Sequence, residues 1–505
     1  MKTTSVETSH IALNPNELVQ FLKKKPADFT KEDIIRFCEA KQIEMVNFRY
    51  VAGDSTLKVL NFVISSREHL DEILSQGERV DGSNIFSFIE AGSSDLYVIP
   101  KYRSAFTNPF TTIPTLEFMC SYYNNEGKPL VSAPENILKA ADAEFTKQTG
   151  AQFKTLGELE YYIVSDVDPL FPGRDQKGYH TAAPFTKFED FRAEVMCMLA
   201  RTGAQIKYGH SEVGCFTQDG KYYEQQEIEF LPMPVEQTVE QIVIAKWILR
   251  MMAHRRGLNI SYAPKITVGK AGSGMHFHML AEKDGKNLLT EGGRLSDMAR
   301  KMIAGILDIG AAITAFGNTI PTSYLRLVPH QEAPTYVCWG DRNRSVVIRV
   351  PLGWSGASNM AQDANPNCGF TNEKTEKQTY EYRVPDGSCE PYLTVAALII
   401  GSLHGLSMPD ALAKADRLYA PGNIFDEANK SFLEGLEQLP ASCYESAEVL
   451  NKKRAIFEKN NIFPASVIDN CIANLQAFND KDLSERLYGN NEAIAELVLK
   501  HFDVA

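Results

Sequence analysis

Residues 156–166 read LGELEYYIVSD, and this stretch decides the fold. β-Branched and aromatic residues follow two glutamates spaced two apart. An extended chain sends alternate side chains to one face, so Glu158 and Glu160 lean into the same space. The apolar run Tyr161–Val164 predicts a strand that is mostly buried. Two like charges beside a core are costly unless a cation neutralises them. The pair taken alone reads equally well as exposed glutamates at a strand entrance.

Neighbouring segments repeat the alternation. Residues 210–230, HSEVGCFTQDGKYYEQQEIEF, add Glu212 and then Glu227 and Glu229 at strand spacing. Carboxylate-rich, oxygen-only surroundings select hard divalent ions such as Mg²⁺ or Mn²⁺; a solvated strand is the plain alternative. In AGSGMHFHML, residues 271–280, small residues precede His276 and His278, again alternate. A Gly-rich approach admits a second backbone or a ligand, and an imidazole can ligate a metal or bond a phosphate. H-x-H elsewhere is as often a satisfied structural pair.

Arg326, Arg342, Arg344, Arg349 and Arg383 lie in SYLRLVPHQEAP, DRNRSVVIRVP and YEYRVPD. Their β-forming neighbours predict guanidinium groups held at or near a core. There they need anions, and their planar fork suits carboxylate or phosphate; pairing with the glutamates above is compatible with both. The chain has no G-x-x-x-x-G-K-[ST] and no G-x-G-x-x-G, so any nucleotide is held by neither a P-loop nor a Rossmann turn. Glutamates, one or two histidines and several arginines together are what phosphoryl transfer uses to hold two divalent cations between carboxylates and a polyphosphate.

The rest of the chain frames this site. Its 505 residues are 44% apolar and 23% charged, enough for a sizeable core and two to four domains. Net charge is −12 and no basic block offsets it, which argues against a nucleic-acid partner. Nine scattered cysteines without a C-x-x-C suit a reducing cytosol. The N-terminus lacks an apolar signal region, and the apolar stretches Ile303–Phe316 and Thr394–Leu406, interrupted by Asp308 and His404, predict buried helices rather than membrane spans. An amphipathic helix is expected around Leu18–Phe37. A hairpin about AGDS follows, and a helix with Ser132 as N-cap and Pro134 in its first turn marks a domain boundary. The strongest loop signal is GASNMAQDANPNCGFTNEKTEKQT.

Ten segments in order carry a resemblance to type I glutamine synthetases from about Ile43 to the C-terminus: VDGSN, SSDLYVIP, GELEYYI, KGY, HSEVG…QQEIEF, GSGMHFH, YLRLVPHQEAP, NRSVVIR, YEYRVPD and EPYL. The resemblance implies an α+β protein: a helical lead (1–42), a β-grasp domain (43–131) and a catalytic domain (132–505) with a curved antiparallel sheet and surrounding helices. It further implies a cytoplasmic dodecamer of two stacked hexameric rings with active sites between subunits. By motif, Glu160, Glu212 and Glu227 hold one metal and Glu158, His276 and Glu381 a second, the ions being Mg²⁺ or Mn²⁺, two or more per site. Arg326 and Gly272 bind glutamate, His278, Arg344 and Arg349 bind ATP, and Arg383 stabilises the transferring phosphoryl group. Asp81 and Tyr179 bind ammonium, and Glu332 is the flap carboxylate that takes a proton.

The implied reaction phosphorylates the γ-carboxylate of glutamate with ATP, and ammonia displaces the phosphate. Several residues depart from the family pattern: Ala271 for asparagine, Asn84 for serine, His330 and Gln331 for glycine and tyrosine, and Leu280 for serine. Insertions of roughly seven residues before Glu227 and roughly twenty before Glu381 accompany them; Lys374 or Lys377 is the candidate replacement for basic residues near the nucleotide. Ala271 and Asn84 keep open an amine or polyamine ligase of the same superfamily. A catalytically silent scaffold is the third alternative, opposed by the full set of metal ligands. DRLYAPG around Tyr419 resembles only faintly a loop that some members adenylylate, and the reading is against regulation there.

Overall fold

The structure is a computed structural model that describes residues 13–89, 94–328, 333–353, 360–367 and 377–504. The stretch expected as one amphipathic helix forms two, α1 (Glu17–Leu22) and α2 (Lys31–Lys41). Lys23 adopts a left-handed conformation (φ 57°) that stops α1, and a short turn at Pro26–Asp28 separates the two. Asn16 caps α1, and a reciprocal Thr30–Asp33 box caps α2.

The predicted hairpin is present: β1 (Met45–Val51) runs antiparallel to β2 (Leu57–Val63), pairing Met45 with Val63 and Val51 with Leu57. With β3 (Glu78–Asp81), β4 (Asp95–Pro100), β5 (Phe106–Thr107) and β6 (Thr115–Tyr123) it forms a six-stranded sheet in the order β2-β1-β6-β4-β3, with β5 on β6. Only β1 and β6 are parallel. Helix α3 (Arg67–Gln76) contributes Leu70, Ile73 and Leu74 to the same core as Phe48, Phe118 and Tyr122.

Helix α4 (Pro134–Thr149) opens the second unit. Pro134 takes its first position, as expected, but Ala133 rather than Ser132 is the N-cap and no side chain caps it. A ten-stranded sheet follows. Its path is β16 (Trp339–Asp341), β17 (Ile348–Val350), β18 (Tyr380–Tyr382), β12 (Met275–Lys283), β7 (Gln152–Asp166), β9 (Lys221–Phe230), β8 (Ile206–Gln218); β10 (Met233–Pro234) and β11 (Asn259–Ser261) pair with β7 and β13 (Lys286–Asn287) with β12, while β14 (Thr290–Glu291) and β15 (Arg294–Leu295) form a separate pair. Of these neighbours only β16 and β17 are parallel.

Helices α5 (Glu189–Arg201), α6 (Val235–Arg255), α7 (Asp297–Gly317), the single turn α8 (Ser323–Arg326) and α9 (Pro391–Ser407) surround the sheet. The two apolar stretches are α7 and α9, both buried, and among the described residues no single helix is long and apolar enough to cross a membrane. Within the loop-rich segment before β18, Met360–Ala364 form a short helix. All eight cysteines among the described residues are free thiols.

Candidate metal and substrate site

Strand register builds the site. Across β7 and β9, Glu158 faces Glu229 and Glu160 faces Glu227. Across β12, His276 faces Glu158 on one side and His278 faces Glu381 on the other, while Glu381 in turn faces Arg349 of β17. Directly opposed residues share a face, so five strands deliver carboxylates, imidazoles and a guanidinium to one side of one sheet.

Their atoms converge. His276 Nδ1 lies 2.9 Å from Glu158 Oε2 and 3.2 Å from Glu381 Oε1. His278 Nε2 lies 2.8 Å from Glu158 Oε1, and Thr379 Oγ1 is 2.9 Å from His278 Nδ1. Arg349 Nη1 and Arg383 Nε each donate to Glu381 at 3.0 Å. Glu158, His276 and Glu381 therefore present ligand atoms within reach of one ion, as do Glu158, Glu229 and His278.

A third group joins His210, Glu212 and Glu227, with His210 Nδ1 3.8 Å from Glu212 Oε1 and Nε2 3.6 Å from Glu227 Oε2. Glu160, expected beside Glu212 and Glu227, accepts hydrogen bonds from Gly274 N at 2.8 Å and Gln225 Nε2 at 3.0 Å, and its Oε1 stands 3.8 Å from His276 Nε2. A register shift between Ser211 and Cys215 in β8 carries Glu212. Beyond it β8 and β9 meet in a turn at Asp219–Gly220.

Electrostatics reflect this density. Burial pushes the Glu227 carboxyl well up, and the carboxylates of Glu158, Glu160, Glu212 and Glu229 add to it. Burial also opposes the charged form of His276, but hydrogen bonds to Glu158 and Glu381 win and raise it to about 9. Glu158 is held well below the usual carboxylate range because His278 and His276 outweigh its burial. Glu229 Oε2 is buried without a hydrogen-bond partner. Oxygen and imidazole donors crowded in this way fit divalent cations of the Mg²⁺ or Mn²⁺ kind.

Next to these groups is a cavity of about 340 Å³ lined by Glu160, Gln176, Lys265, Gly272, His276 and Arg326, among others. Arg326 Nη1 donates to Val384 O at 2.8 Å, and its Nη2 is 3.2 Å from His276 Nε2. The expected Gly-rich approach is accounted for here, since a Cβ on Gly274 would lie 2.5 Å from His276 Nε2 and 2.7 Å from Arg326 Nη2. Ala271 N donates to Gln176 Oε1 at 2.7 Å, and Ala271 O accepts from Tyr162 Oη at 2.8 Å.

Other expected residues lie differently. Arg326 and Arg383 are buried, as predicted, but Arg342 and Arg344 are exposed, because they sit in the turn between β16 and β17 rather than in a strand. Arg344 reaches the cluster through its backbone, where its carbonyl accepts from Arg383 Nη1. Tyr179 is 46% exposed and stacks on His180, with its ring edge-on to His210 at 5.5 Å. Gly178 before it leaves no room for a Cβ, which would lie 2.4 Å from Glu212 O.

Asp81 is exposed at the end of β3. Hydrogen bonds from Ser83, then Ser94 and Asn84, hold its carboxyl below the usual range, the Asn84 Nδ2 bond being 2.6 Å. Tyr419 donates to Asp341 Oδ2 at 3.1 Å and packs against Trp339. Glu332, His330, Gln331 and Lys374 lie outside the described residues. Sequence reasoning overlooked Lys265 and also His210, although H-x-E repeats the alternation that marked the other ligands; it read Glu229 with Glu227 as a cation-binding carboxylate but assigned it to neither ion.

A family model described as glutamine synthetase, catalytic domain, matches residues 132–481, and one described as glutamine synthetase, beta-Grasp domain, matches residues 42–125. The chain is 28% identical over 480 residues to the glutamine synthetase of Frankia alni, covering 87% of this chain and 94% of that one. It is 30% identical over 394 residues to the glutamine synthetase of Pyrococcus furiosus, covering 77% and 81%. Among solved structures, a cryo-EM structure of Plasmodium falciparum glutamine synthetase superposes with a TM-score of 0.72 at 20% identity, covering 91% of this chain and 99% of that one. A structure of apo GmaS without ligand superposes at 0.68 and 18% identity, covering 88% and 96%. The likeness to these structures lies in the fold.

Proposed function

The chain belongs to the glutamine synthetase family, and from that premise we propose that it ligates ammonia to the γ-carboxylate of L-glutamate at the expense of ATP, through a γ-glutamyl phosphate. The observation that carries this reading is the convergence of Glu158, His276 and Glu381, with Arg349 and Arg383 both on Glu381. Carboxylates that hold cations and guanidiniums that meet phosphate then share one wall.

In this reading Glu160, Glu212 and Glu227 hold one divalent ion and Glu158, His276 and Glu381 another. Divalent cations held there would supply positive charge to the phosphates of ATP. His278, Arg344 and Arg349 position those phosphates, and Arg383 stabilises the charge on the transferring phosphoryl group. Arg326 and Gly272 hold glutamate. Ammonium has no lone pair, so Tyr179 and Asp81 bind it and help remove its proton, and Glu332 closes the site and takes the remaining one. Exclusion of water preserves the acyl phosphate.

Asp81 is exposed and bonded to Ser83, Ser94 and Asn84 of its own domain, which fits service to a neighbouring protomer's site in two stacked hexameric rings. The division into a lead (1–42), a β-grasp domain (43–131) and a catalytic domain (132–505) belongs to the same reading. The free thiols suit the cytoplasm.

A steady-state assay of phosphate release with ATP, Mg²⁺ and glutamate tests the reaction. Release that requires ammonium is the expected result. A second reading, ligation of an amine, is favoured by Ala271 on the cavity wall and by Asn84 bonded to Asp81. Release with methylamine or polyamines but not with ammonium would establish it in place of the first. Release with none of them would leave only a scaffold.

A further inference from the structure

One cation in the cavity wall has no part in the roles above. Lys265 is 2% exposed and lines the cavity together with Arg326 and Gly272. Its Nζ donates to Lys270 O at 2.6 Å, and Ser273 N donates to Pro264 O at 3.1 Å, so two bonds close the loop that carries the Ala271–Gly272 wall. The loop rests against Arg326: a Cβ on Gly272 would lie 2.5 Å from Pro264 O and 3.0 Å from Arg326 Cγ.

Among the described residues no carboxylate pairs with this ammonium. Burial, and then the charge of Arg326, draw it down to about 8. An ammonium so buried, given one neutral acceptor and a second cation nearby, is unfavourable until an anion joins it. It has three N–H donors and spends one on Lys270 O, which leaves two for a ligand. Arginine and lysine on one cavity form a receptor for a carboxylate.

We propose that Lys265 binds the α-carboxylate of the amino-acid substrate jointly with Arg326 and so selects α-amino acids over simple carboxylic acids. This rests on the ligase reading of the site.

The test compares native protein, Lys265→Met and Lys265→Arg, with ATP, Mg²⁺ and the accepted amine saturating. Glutamate is varied in one series, 4-aminobutanoate, its counterpart without an α-carboxylate, in another, and ATP in a third at saturating glutamate. Lys265→Met is expected to raise KM for glutamate about tenfold or more, the scale of one charge-assisted bond. KM for ATP should hold, the preference for glutamate over 4-aminobutanoate should shrink by a similar factor, and Lys265→Arg should recover part of it. If the lysine only staples its loop, both acids suffer alike and the preference is unchanged, which overturns the proposal.

Glutamate-induced shifts in melting temperature, read on the same three proteins, keep the question open to measurement if turnover is lost. A Lys265→Met protein that folds and gains as much from glutamate as the native one refutes it. Native protein that releases phosphate with no amine sinks the ligase reading instead, and the melting shifts still decide the role of Lys265.

Discussion

Gly274 stands where any Cβ would meet His276 and Arg326, but only at the outer atoms of their side chains. Those tips can swing aside without disturbing the sheet. Gly274→Ala should therefore leave the melting temperature within a few degrees while phosphate release falls on the order of 100-fold, the cost of misplacing a positioning group by about an ångström. Normal turnover would show that the pair is free to move. Asp142 makes the opposite kind of case: its Oδ1 is buried without a hydrogen-bond partner, and burial together with the Glu236 carboxylate pushes it up to about 6. A folded value above the ordinary 3.8 means that the native state binds the extra proton, so stability falls as pH rises from about 4 to about 6. Asp142→Asn should gain roughly 2 kcal/mol at pH 7 and nothing at pH 3 in urea unfolding; equal gains at both would refute it. At this scale the sequence was most informative where alternation is strict: Glu158, Glu160, His276 and His278 announce a shared face. Arg342 and Arg344 do not announce their turn, because Arg and Asn are compatible with strand and turn alike.

Helices α7 and α9 cross backbone to backbone. A Cβ on Gly405 would lie 1.9 Å from Lys301 O and 2.8 Å from Gly305 N, and one on Gly305 would lie 2.2 Å from Gly401 O. Here the obstacles are main-chain atoms, which cannot rotate away, so Gly405→Ala must push two largely buried helices apart. A loss of about 3 kcal/mol or more in denaturant unfolding is expected, near the upper end for overpacking; a loss below about 1 kcal/mol would mean that the crossing yields easily. Both helices are legible from their length and apolarity, since a buried helix needs no polar face. The glycines reveal nothing in isolation, because the neighbour that demands them is about 100 residues away. The misread cap at Ser132 has a local cause: the helix begins at Pro134, so the cap position falls on Ala133, which has no side-chain oxygen to offer, and Ser132 lies one residue too early. Strands of three residues such as β16, β17 and β18 are too short for any period to register.

The two units of the molecule are joined by charge as well as by apolar contact. Lys101, from the first sheet's margin, pairs with Glu236 at 3.0 Å and also with Glu240 of α6, while Arg103 meets Glu236 at 2.7 Å and Glu240 at 2.6 Å. Beside them Arg49, bonded to Glu117 at 2.6 Å, lies 3.9 Å above the ring of Trp247. Burial disfavours the Glu236 carboxylate, yet Lys101 and Arg103 hold it down at about 2. No pattern in the sequence could have matched these partners, since ion pairs across more than 130 residues leave no local period. The Lys101 and Arg103 cluster is balanced only while the units stay docked, because separation strands Glu236 and Glu240 of α6 without their cations. Lys101→Met removes one side of that balance and should cost about 3–5 kcal/mol, as breaking a buried pair does. The loss should also be visible in cooperativity. In the native protein Trp fluorescence and far-UV circular dichroism should melt together, whereas in Lys101→Met the fluorescence, reporting in part on Trp247 at the junction, should change at a lower temperature than the helix signal. Coincident curves in the variant would show that the apolar contacts of Phe106 and Phe110 with Trp247 suffice to hold the units together, and that the charges only tune the junction.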